Sequence, residues 1–448
     1  MSNANRPKEL LYAFNDKPPF FARLLLACQQ LIPLGVSLIF TNIVLDQIDV
    51  EAEIAASVVS IVMIASSITT LMQAQRWKWL IGSGTFLPLS AAPNLLAQSI
   101  LAVKLGGLPL LFGMTLFAGI MQAIFSFVID IISKCFPPEI AAMVIVLIGL
   151  DLGVLGLNSF ISFNQAFSHS GETKTFLFYF VEFLPLALMI ILNCWGNAFL
   201  KMYSLFIAAI IGYVLIAATG YIDPAALQEV HSASWVFLPT IAIGSGLHQF
   251  DTSLIVPFLI GALVNTIKIC GSVAGLQELQ DVNFKQPDMK QISRANFTDA
   301  MGTIFSGLTG SMGTNTSSTA ISISMSTGIT SRYIAYPFSM IVFLIAFCPK
   351  ISLLFVHMPK PVSGAILFCL GAALLANGCK MMFYYVRNFK QQICIGVSFV
   401  FGFSRDALPD IFLQFPDSIK SLTGSAIVVA TLSAVILNLL FNMQKKKK

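Results

Sequence analysis

Charged side chains are scarce in this sequence: Asp, Glu, Lys and Arg together make up 10% of its 448 residues. Hydrophobic residues make up 56%. A water-soluble protein cannot bury that much apolar surface, because a large share of its residues must face the solvent. The apolar residues recur in runs of about 20, the length of a helix that crosses a bilayer. The composition therefore excludes a soluble protein and predicts an all-α polytopic membrane protein whose main partner is the lipid bilayer.

The sequence also lacks paired metal-binding and disulfide patterns. Its eight cysteines lie mostly in or beside apolar runs without paired spacing, and its four histidines are scattered. Neither a disulfide framework nor a metal site is predicted, and no cofactor is expected. No stretch resembles a phosphate-binding loop, which argues against an ATP-driven pump. No nucleophile has a neighbouring base, so a membrane enzyme is a minor alternative.

Fourteen membrane segments are predicted, beginning near residues 22, 54, 80, 105, 141, 176, 199, 253, 296, 312, 333, 361, 391 and 423. If residues 1–20 are a cytoplasmic tail and every segment crosses the membrane, 19 Lys and Arg lie on the cytoplasmic side and six on the outer side. The remaining one, Lys268, lies within a segment. This bias predicts an even number of crossings with both termini cytoplasmic, although it does not separate fourteen from twelve. The net charge of +5 follows from these loops and from the lysines at 445–448, so no nucleic-acid partner is implied.

Division into two halves of seven segments, 21–222 and 223–444, gives an inverted repeat, because an odd number of spans reverses the second half. The third segment of each half is interrupted. "LIGSGTFLPLSAAPNL" (80–95) contains two Gly and two Pro, and "GSMGTNTSSTAISISMSTGITSR" (310–332) contains twelve Ser and Thr. Matched interruptions of this kind are typical of a transporter site near the bilayer midplane. One explanation for the Ser and Thr residues is that hydroxyl groups hydrogen-bond the unpaired backbone groups of a broken helix. The alternative explanation is that small residues let neighbouring helices pack closely.

Several stretches resemble the nucleobase–cation symporters of the xanthine/uracil permease type, also called nucleobase–ascorbate transporters. "CFPPEIAAMVIVLIGLDLGVLGL" (135–157) is similar to the family's Phe-Pro-Pro stretch and the span that follows it. "ISRANFTDAMGTIFSGLTGSMGTNTSSTA" (292–320) is similar to its spans nine and ten, "CQQLIPL" (28–34) to part of span one, and "HMPKPVSGAILFCLG" (357–371) to the start of span twelve. The resemblance covers nearly the whole chain.

The resemblance implies a fourteen-span fold with short extended pieces in spans three and ten. Spans one to four and eight to eleven would form a core domain, and the remaining spans a gate domain against which the core shifts. It also implies a homodimer that binds a small-molecule substrate between spans three and ten, with coupling to H⁺ or Na⁺ left open. The expected location is a bacterial inner membrane.

The sequence departs from the family where the family carries a carboxylate on span eight. The family pattern is Glu-x-x-Gly followed by His or Asp, and this chain has "KICGS", Lys268 to Ser272. In span ten, Thr319 stands at the position of the usual acid or amide. Lysine supplies three donors and no acceptor, so a solute N–H facing it would stay unpaired at a cost of about 1–3 kcal/mol. The substitution favours a carbonyl-rich or anionic solute.

Lys268 is the centre of the candidate substrate site, where we expect it to hold a carbonyl or anionic edge while backbone N–H groups cap the solute. The candidate residues are Gln29, Gln30, Thr85, Phe86, Lys268, Ser272, Ser318 and Thr319. Three alternatives for Lys268 stay open: a salt bridge to Asp130, Glu139 or Asp151, a peripheral position, and a role as coupling group after loss of its proton. Asp299 matches an Asp of the family and is interpreted as structural.

Two functions are compatible with these residues. The first is secondary active transport of an oxopurine, an oxopyrimidine or a similarly planar, acceptor-rich solute. The second is exchange or uniport of a small anion such as sulfate, bicarbonate or a carboxylate on the same fold, which the loss of the family carboxylates favours. A relative that does not transport, kept as a scaffold or sensor, is a third possibility.

Overall fold

A computed structural model describes residues 10–48, 50–77, 80–129, 138–169, 176–219, 224–241, 248–281, 287–386, 388–408 and 426–443. The helices in these ranges are α1 Phe20–Leu45, α2 Ala52–Ala74, α3 Leu96–Phe127, α4 Pro138–His169, α5 Phe176–Trp195, α6 Ala198–Ala218, α7 Pro224–Ser232, α8 Ile255–Gln280, α9 Met289–Thr309, α10 Ser318–Thr327, α11 Ala335–Ala346, α12 Pro349–Val356, α13 Lys360–Tyr385, α14 Phe389–Ala407 and α15 Ala426–Met443. Two short strands, β1 Leu89–Ala91 and β2 Thr314–Thr316, pair with each other.

Apolar helices dominate the described part of the chain. Six stretches in it are long and apolar enough to cross a membrane: Phe20–Leu45, Ala52–Ala74, Pro93–Phe127, Ala142–Ile161, Thr252–Gln280 and Lys360–Lys380. Four shorter apolar stretches lie at Tyr179–Trp195, Ile207–Ala218, Arg332–Ala346 and Val429–Asn438. The helical membrane class is thereby confirmed, and the fourteen-segment inverted repeat stays a prediction.

The long helix α3 contains a break that coincides with a predicted segment boundary. Gly106 and Gly107 have non-helical backbone angles, with φ values of −147° and +67°. The positive φ at Gly107 is a conformation that glycine adopts without a steric penalty. The fourth segment was expected to begin near residue 105, so α3 corresponds to the end of one predicted segment and the whole of the next.

The chain forms two compact units, and each unit draws on both halves of the sequence. Unit 1 comprises Met1–Phe136, Ser234–Ser352 and Leu408–Val428. Unit 2 comprises Pro137–Ala233, Leu353–Ala407 and Val429–Lys448. Apart from Leu408–Val428, these ranges follow the division into core and gate spans that the family resemblance implies. All eight candidate site residues belong to unit 1.

In unit 2, α4 and α13 cross so closely that their backbones touch. A methyl group on Gly371 would lie 2.5 Å from the carbonyl oxygen of Gly149 and 2.6 Å from the amide nitrogen of Gly153. Likewise, a methyl group on Gly156 would lie 2.6 Å from the carbonyl oxygen of Gly364. Small residues at such crossings let membrane helices gain van der Waals contact along their length.

We expect Gly371→Val to destabilise unit 2, because the atoms it would meet are backbone atoms that cannot rotate away. Overpacking of this kind costs about 1–3 kcal/mol or more. Gly153→Ala on α4 is the matched control, since a methyl group there meets no atom within 4 Å. Size-exclusion profiles and thermal unfolding in detergent measure the difference. Equal stability of the two variants would contradict the close crossing.

Residues 10–16 of the predicted N-terminal tail pack against the rest of unit 1 and do not form a free extension; we call this segment the strap. Tyr12 bridges Ile329 in a parallel pair, and the Thr330 amide donates to the Tyr12 carbonyl oxygen at 2.9 Å. Gln280, at the end of α8, accepts from the Phe14 amide at 3.2 Å and donates to the Thr330 hydroxyl at 2.5 Å. The strap therefore ties the end of α8 to the segment that follows α10.

Candidate functional site

The two strands form an antiparallel pair that is completely buried in unit 1. Leu89 lies opposite Thr316, and Ala91 lies opposite Thr314. Beyond the strands, the Ser317 amide donates to the carbonyl oxygen of Pro88 at 2.8 Å. Extended backbone at membrane depth is tolerated only where its polar groups are paired within the protein. The pairing meets that requirement and fixes the two interrupted segments against each other.

A helical segment follows each strand, and the register decides which residues meet. A 3₁₀ turn at Pro93–Leu95 follows β1, and α10 begins at Ser318 after β2. Because the strands are antiparallel, the N-terminus of α10 lies at the end of the pair where the chain enters β1. Phe86 and Ser318, two predicted site residues, are therefore at the same end. A helix N-terminus offers unpaired N–H groups and partial positive charge to a solute.

The middle of α8 passes this same end of the strand pair. Ile269 and Val273 belong to one buried hydrophobic cluster with Leu87 and Ile321. Leu87 directly precedes Pro88 and β1, and Ile321 lies on the first turn of α10. The structure therefore brings together three predicted parts of the site: the turn of α8 that carries Lys268, the approach to β1, and the start of α10.

The acid that interacts electrostatically with Lys268 is Asp299, a buried residue of α9. Lys268 itself is partly exposed, and no hydrogen bond or ion pair holds its ammonium group among the described residues. Ser272 lies four residues further along α8, on the same helix face. The proposed salt-bridge partner Asp130 lies outside the described residues. Sequence reasoning did not consider Asp299 as a charge partner, because no local pattern links it to Lys268.

Asp299 also anchors β2 to its surroundings. Its Oδ1 accepts hydrogen bonds from the amide and the hydroxyl of Thr316, both at 2.7 Å. Its Oδ2 accepts from Gln122 Nε2 at 2.8 Å, and Gln122 on α3 also donates to Asn296 Oδ1 at 3.2 Å. These bonds agree with the structural interpretation of Asp299. The same carboxylate thus orients a strand of the site and interacts electrostatically with Lys268.

A second polar cluster joins α8 to both interrupted segments. Asn265 Oδ1 accepts from Asn94 Nδ2 at 2.8 Å and from Asn315 Nδ2 at 3.1 Å. All three amides are buried. The cluster therefore holds β2, through Asn315, against α8.

Two hydroxyl groups of residues 310–332 donate hydrogen bonds to backbone carbonyls of distant segments. Ser311 Oγ donates to the Val58 carbonyl oxygen at 2.7 Å, and Ser331 Oγ donates to that of Asp16 at 2.6 Å. Buried carbonyls need such partners. Part of the hydroxyl-rich stretch is therefore structural.

The span-one residues of the predicted site reach α10. Gln30 Nε2 donates to Ser324 Oγ at 3.4 Å, while Gln30 Oε1 is buried with no hydrogen-bond partner among the described residues. Gln29 is partly exposed beside it. The backbone of Thr319 lies in the first turn of α10, and its side chain is outside the described part of the structure.

The residues before β1 are buried and held by their own neighbours. The hydroxyls of Thr85 and Ser83 share a hydrogen bond of 2.7 Å. The ring of Phe86 packs edge-on against Phe338 of α11, with centroids 5.9 Å apart. These contacts fix the backbone of Phe86 next to the α10 terminus.

Comparison with known sequences identifies related proteins. The sequence model of a permease family, that of the xanthine/uracil permeases, matches residues 21–411. The xanthine permease XanP of Escherichia coli K12 is 25% identical over 453 residues, covering 98% of this chain and 96% of its own length. The nucleobase transporter PlUacP of Paenibacillus larvae is 25% identical over 407 residues, covering 91% of each chain.

Among solved structures, the transmembrane domain of a cyanobacterial bicarbonate transporter, BicA, has a similar fold. The two superpose with a TM-score of 0.55 over 94% of this chain and 98% of that chain, at 13% sequence identity. These similar proteins are transporters and not enzymes. The chain belongs to the xanthine/uracil permease family and is a membrane transporter.

Proposed function

We propose that this protein is a secondary active transporter of a nucleobase of the oxopurine or oxopyrimidine type, with a donor-rich site around Lys268. Two similar proteins are a xanthine permease and a nucleobase transporter, which supports the substrate class. The observation that carries the site is the convergence of the Lys268 turn of α8 with Phe86 and the N-terminus of α10. In this proposal the ammonium, hydroxyl and backbone N–H donors of these segments face the solute, and they match the carbonyl edge of an oxidised base.

The charge balance of the site favours a neutral solute. Asp299 offsets the positive charge of Lys268, so a solute without charge does not leave an uncompensated ion in a low-dielectric environment. Gln30 Oε1 adds a buried acceptor without a partner. A ring N–H of a nucleobase would satisfy it, and buried acceptors are rarely left unpaired. Sulfate or an ionised carboxylate group would bring no such donor.

The anion carrier is the second candidate, and one observation favours it. The Lys268 ammonium has no hydrogen-bonded counter-ion among the described residues. A small carboxylate, sulfate or bicarbonate would then bind Lys268 directly, and transport would be exchange or uniport. The nucleobase remains our choice, because Gln30 and Asp299 both suit it better.

The proposal includes several features beyond the family assignment. The chain would fold as an inverted repeat of 21–222 and 223–444, with fourteen segments and both termini cytoplasmic. It would act as a homodimer in a bacterial inner membrane and couple transport to H⁺ or Na⁺.

Uptake into proteoliposomes at two external pH values tests this proposal. The panel is radiolabelled xanthine, urate, uracil, sulfate and bicarbonate, with empty liposomes as the control. We expect accumulation of at least one nucleobase, driven by a proton or sodium gradient. Gradient-independent exchange of sulfate or bicarbonate without nucleobase uptake would replace the first candidate with the second.

A further inference from the structure

An open cavity of about 470 Å³ lies in unit 1, at the start of α9, and none of the candidate substrate residues lines it. Its walls come from the end of α3, from Leu80 before β1 and from the first turns of α9. By the predicted topology, this end of the helices faces the cytoplasm. The substrate site proposed above leaves this cavity without a role.

One side of the cavity is basic. Lys290 and Arg294 line it, and no acidic residue is among the described residues that do. The Lys290 side chain is exposed and its ammonium has no partner in the described part of the chain. Arg294 donates through Nη2 to the carbonyl oxygens of Trp77 and Ile81, whereas its Nε is buried without a hydrogen-bond partner.

The nearest acid in sequence, Asp288, is already engaged. Its Oδ1 accepts from the amides of Lys290 and Gln291 at 3.0 and 3.3 Å, which caps the N-terminus of α9. No ion pair joins this carboxylate to the Lys290 ammonium in the described part of the chain. The described residues that line the cavity therefore carry two positive charges and no negative charge.

The other side of the cavity is apolar and continues onto exposed surface. Ile129 and Met289 line it together with Phe127, whose side chain is 64% exposed. Trp77, which binds Arg294, is 53% exposed. Exposed aromatic residues beside basic ones are typical of the boundary between acyl chains and headgroups.

We propose that this cavity binds the headgroup of an anionic phospholipid, with its phosphate at Lys290 and Arg294 and an acyl chain along Phe127. Basic pockets between transmembrane helices on the cytoplasmic side hold anionic headgroups. A free phosphate would use the basic side only and would leave the apolar wall uncovered. The positive charge of the described lining residues, with no acid among them, favours an anionic lipid over a zwitterionic one.

Native mass spectrometry of the full chain in detergent, titrated with phosphatidylglycerol, tests the site. We expect Lys290→Gln to weaken phosphatidylglycerol binding about fivefold, the typical contribution of one basic residue at a membrane surface. Lys290→Arg should retain binding, because a guanidinium also holds phosphate. Lys104→Gln, which removes another exposed lysine of unit 1, is the matched control and should bind as the wild type does.

Two further measurements distinguish an anionic lipid from the other possible ligands of the cavity. Phosphatidylethanolamine should bind more weakly than phosphatidylglycerol, and inorganic phosphate should not displace the bound lipid. Equal affinity of Lys290→Gln and wild type would overturn the proposal. Displacement by phosphate would identify a free-anion site, and equal binding of both lipids would remove the anionic preference; either result also overturns it.

Discussion

Lys268→Glu is expected to lower solute uptake about 100-fold. The change removes three donors from the site and places a second carboxylate near Asp299, with which Lys268 interacts electrostatically. A lost hydrogen bond to a charged group costs about 1.5–3 kcal/mol, and every 1.4 kcal/mol is about tenfold in affinity. Repulsion between neighbouring carboxylates adds to that loss, because one of the two must then take up a proton. Initial uptake rates in proteoliposomes, at matched protein amounts, give the measurement.

Two further variants serve as comparisons for Lys268→Glu. Lys268→Gln keeps an N–H donor without charge, so we expect a loss of about tenfold, between wild type and Lys268→Glu. Lys104→Glu makes the same charge change at an exposed position of unit 1 and should leave uptake unchanged. Wild-type uptake by Lys268→Glu would mean that the solute does not contact residue 268. The site would then have to be sought elsewhere along the strand pair.

The helical segments and their interruptions follow from local features that the sequence displays directly. Apolar runs predict helices near residues 22, 54, 176 and 199, and the structure begins them at 20, 52, 176 and 198. Glycine and proline in 80–95, and hydroxyl residues in 310–332, mark the places where the structure has short strands. Both signals are local, since hydrophobic length and backbone preference act over a few residues.

The contacts that assemble the site are long-range and left no such signal. Asn94 and Asn265 lie 171 positions apart, and Phe14 and Gln280 lie 266 positions apart. Polar residues in apolar segments show that some partner must exist, because buried polar groups need hydrogen bonds. They do not show which partner it is. For the same reason Asp299 was assigned a structural role from its motif, while its electrostatic contact with Lys268 appeared only in three dimensions.

Asp299→Leu is expected to destabilise unit 1 by about 3–5 kcal/mol and to abolish uptake. The change leaves the Thr316 amide buried without its acceptor and removes one of the two acceptors of Gln122 Nε2. It also removes the acid that interacts electrostatically with Lys268. Removing one partner of a buried charge network typically has a cost of that size. Thermal unfolding in detergent measures the stability, and proteoliposome uptake measures the function. Wild-type unfolding behaviour would show that β2 does not depend on this carboxylate.

Asp299→Asn separates the structural role of this residue from its electrostatic one. The amide oxygen can still accept from Thr316, and its NH₂ group can donate to Gln122 Oε1, which is buried without a partner, if the Gln122 amide turns over. The turned amide gives up its bond to Asn296, so the expected cost is about 1 kcal/mol. The variant should therefore fold, yet Lys268 would lose its balancing charge. If charge balance selects a neutral nucleobase, uptake should fall at least about tenfold while stability is largely kept. Unchanged uptake would assign Asp299 to holding the strand alone.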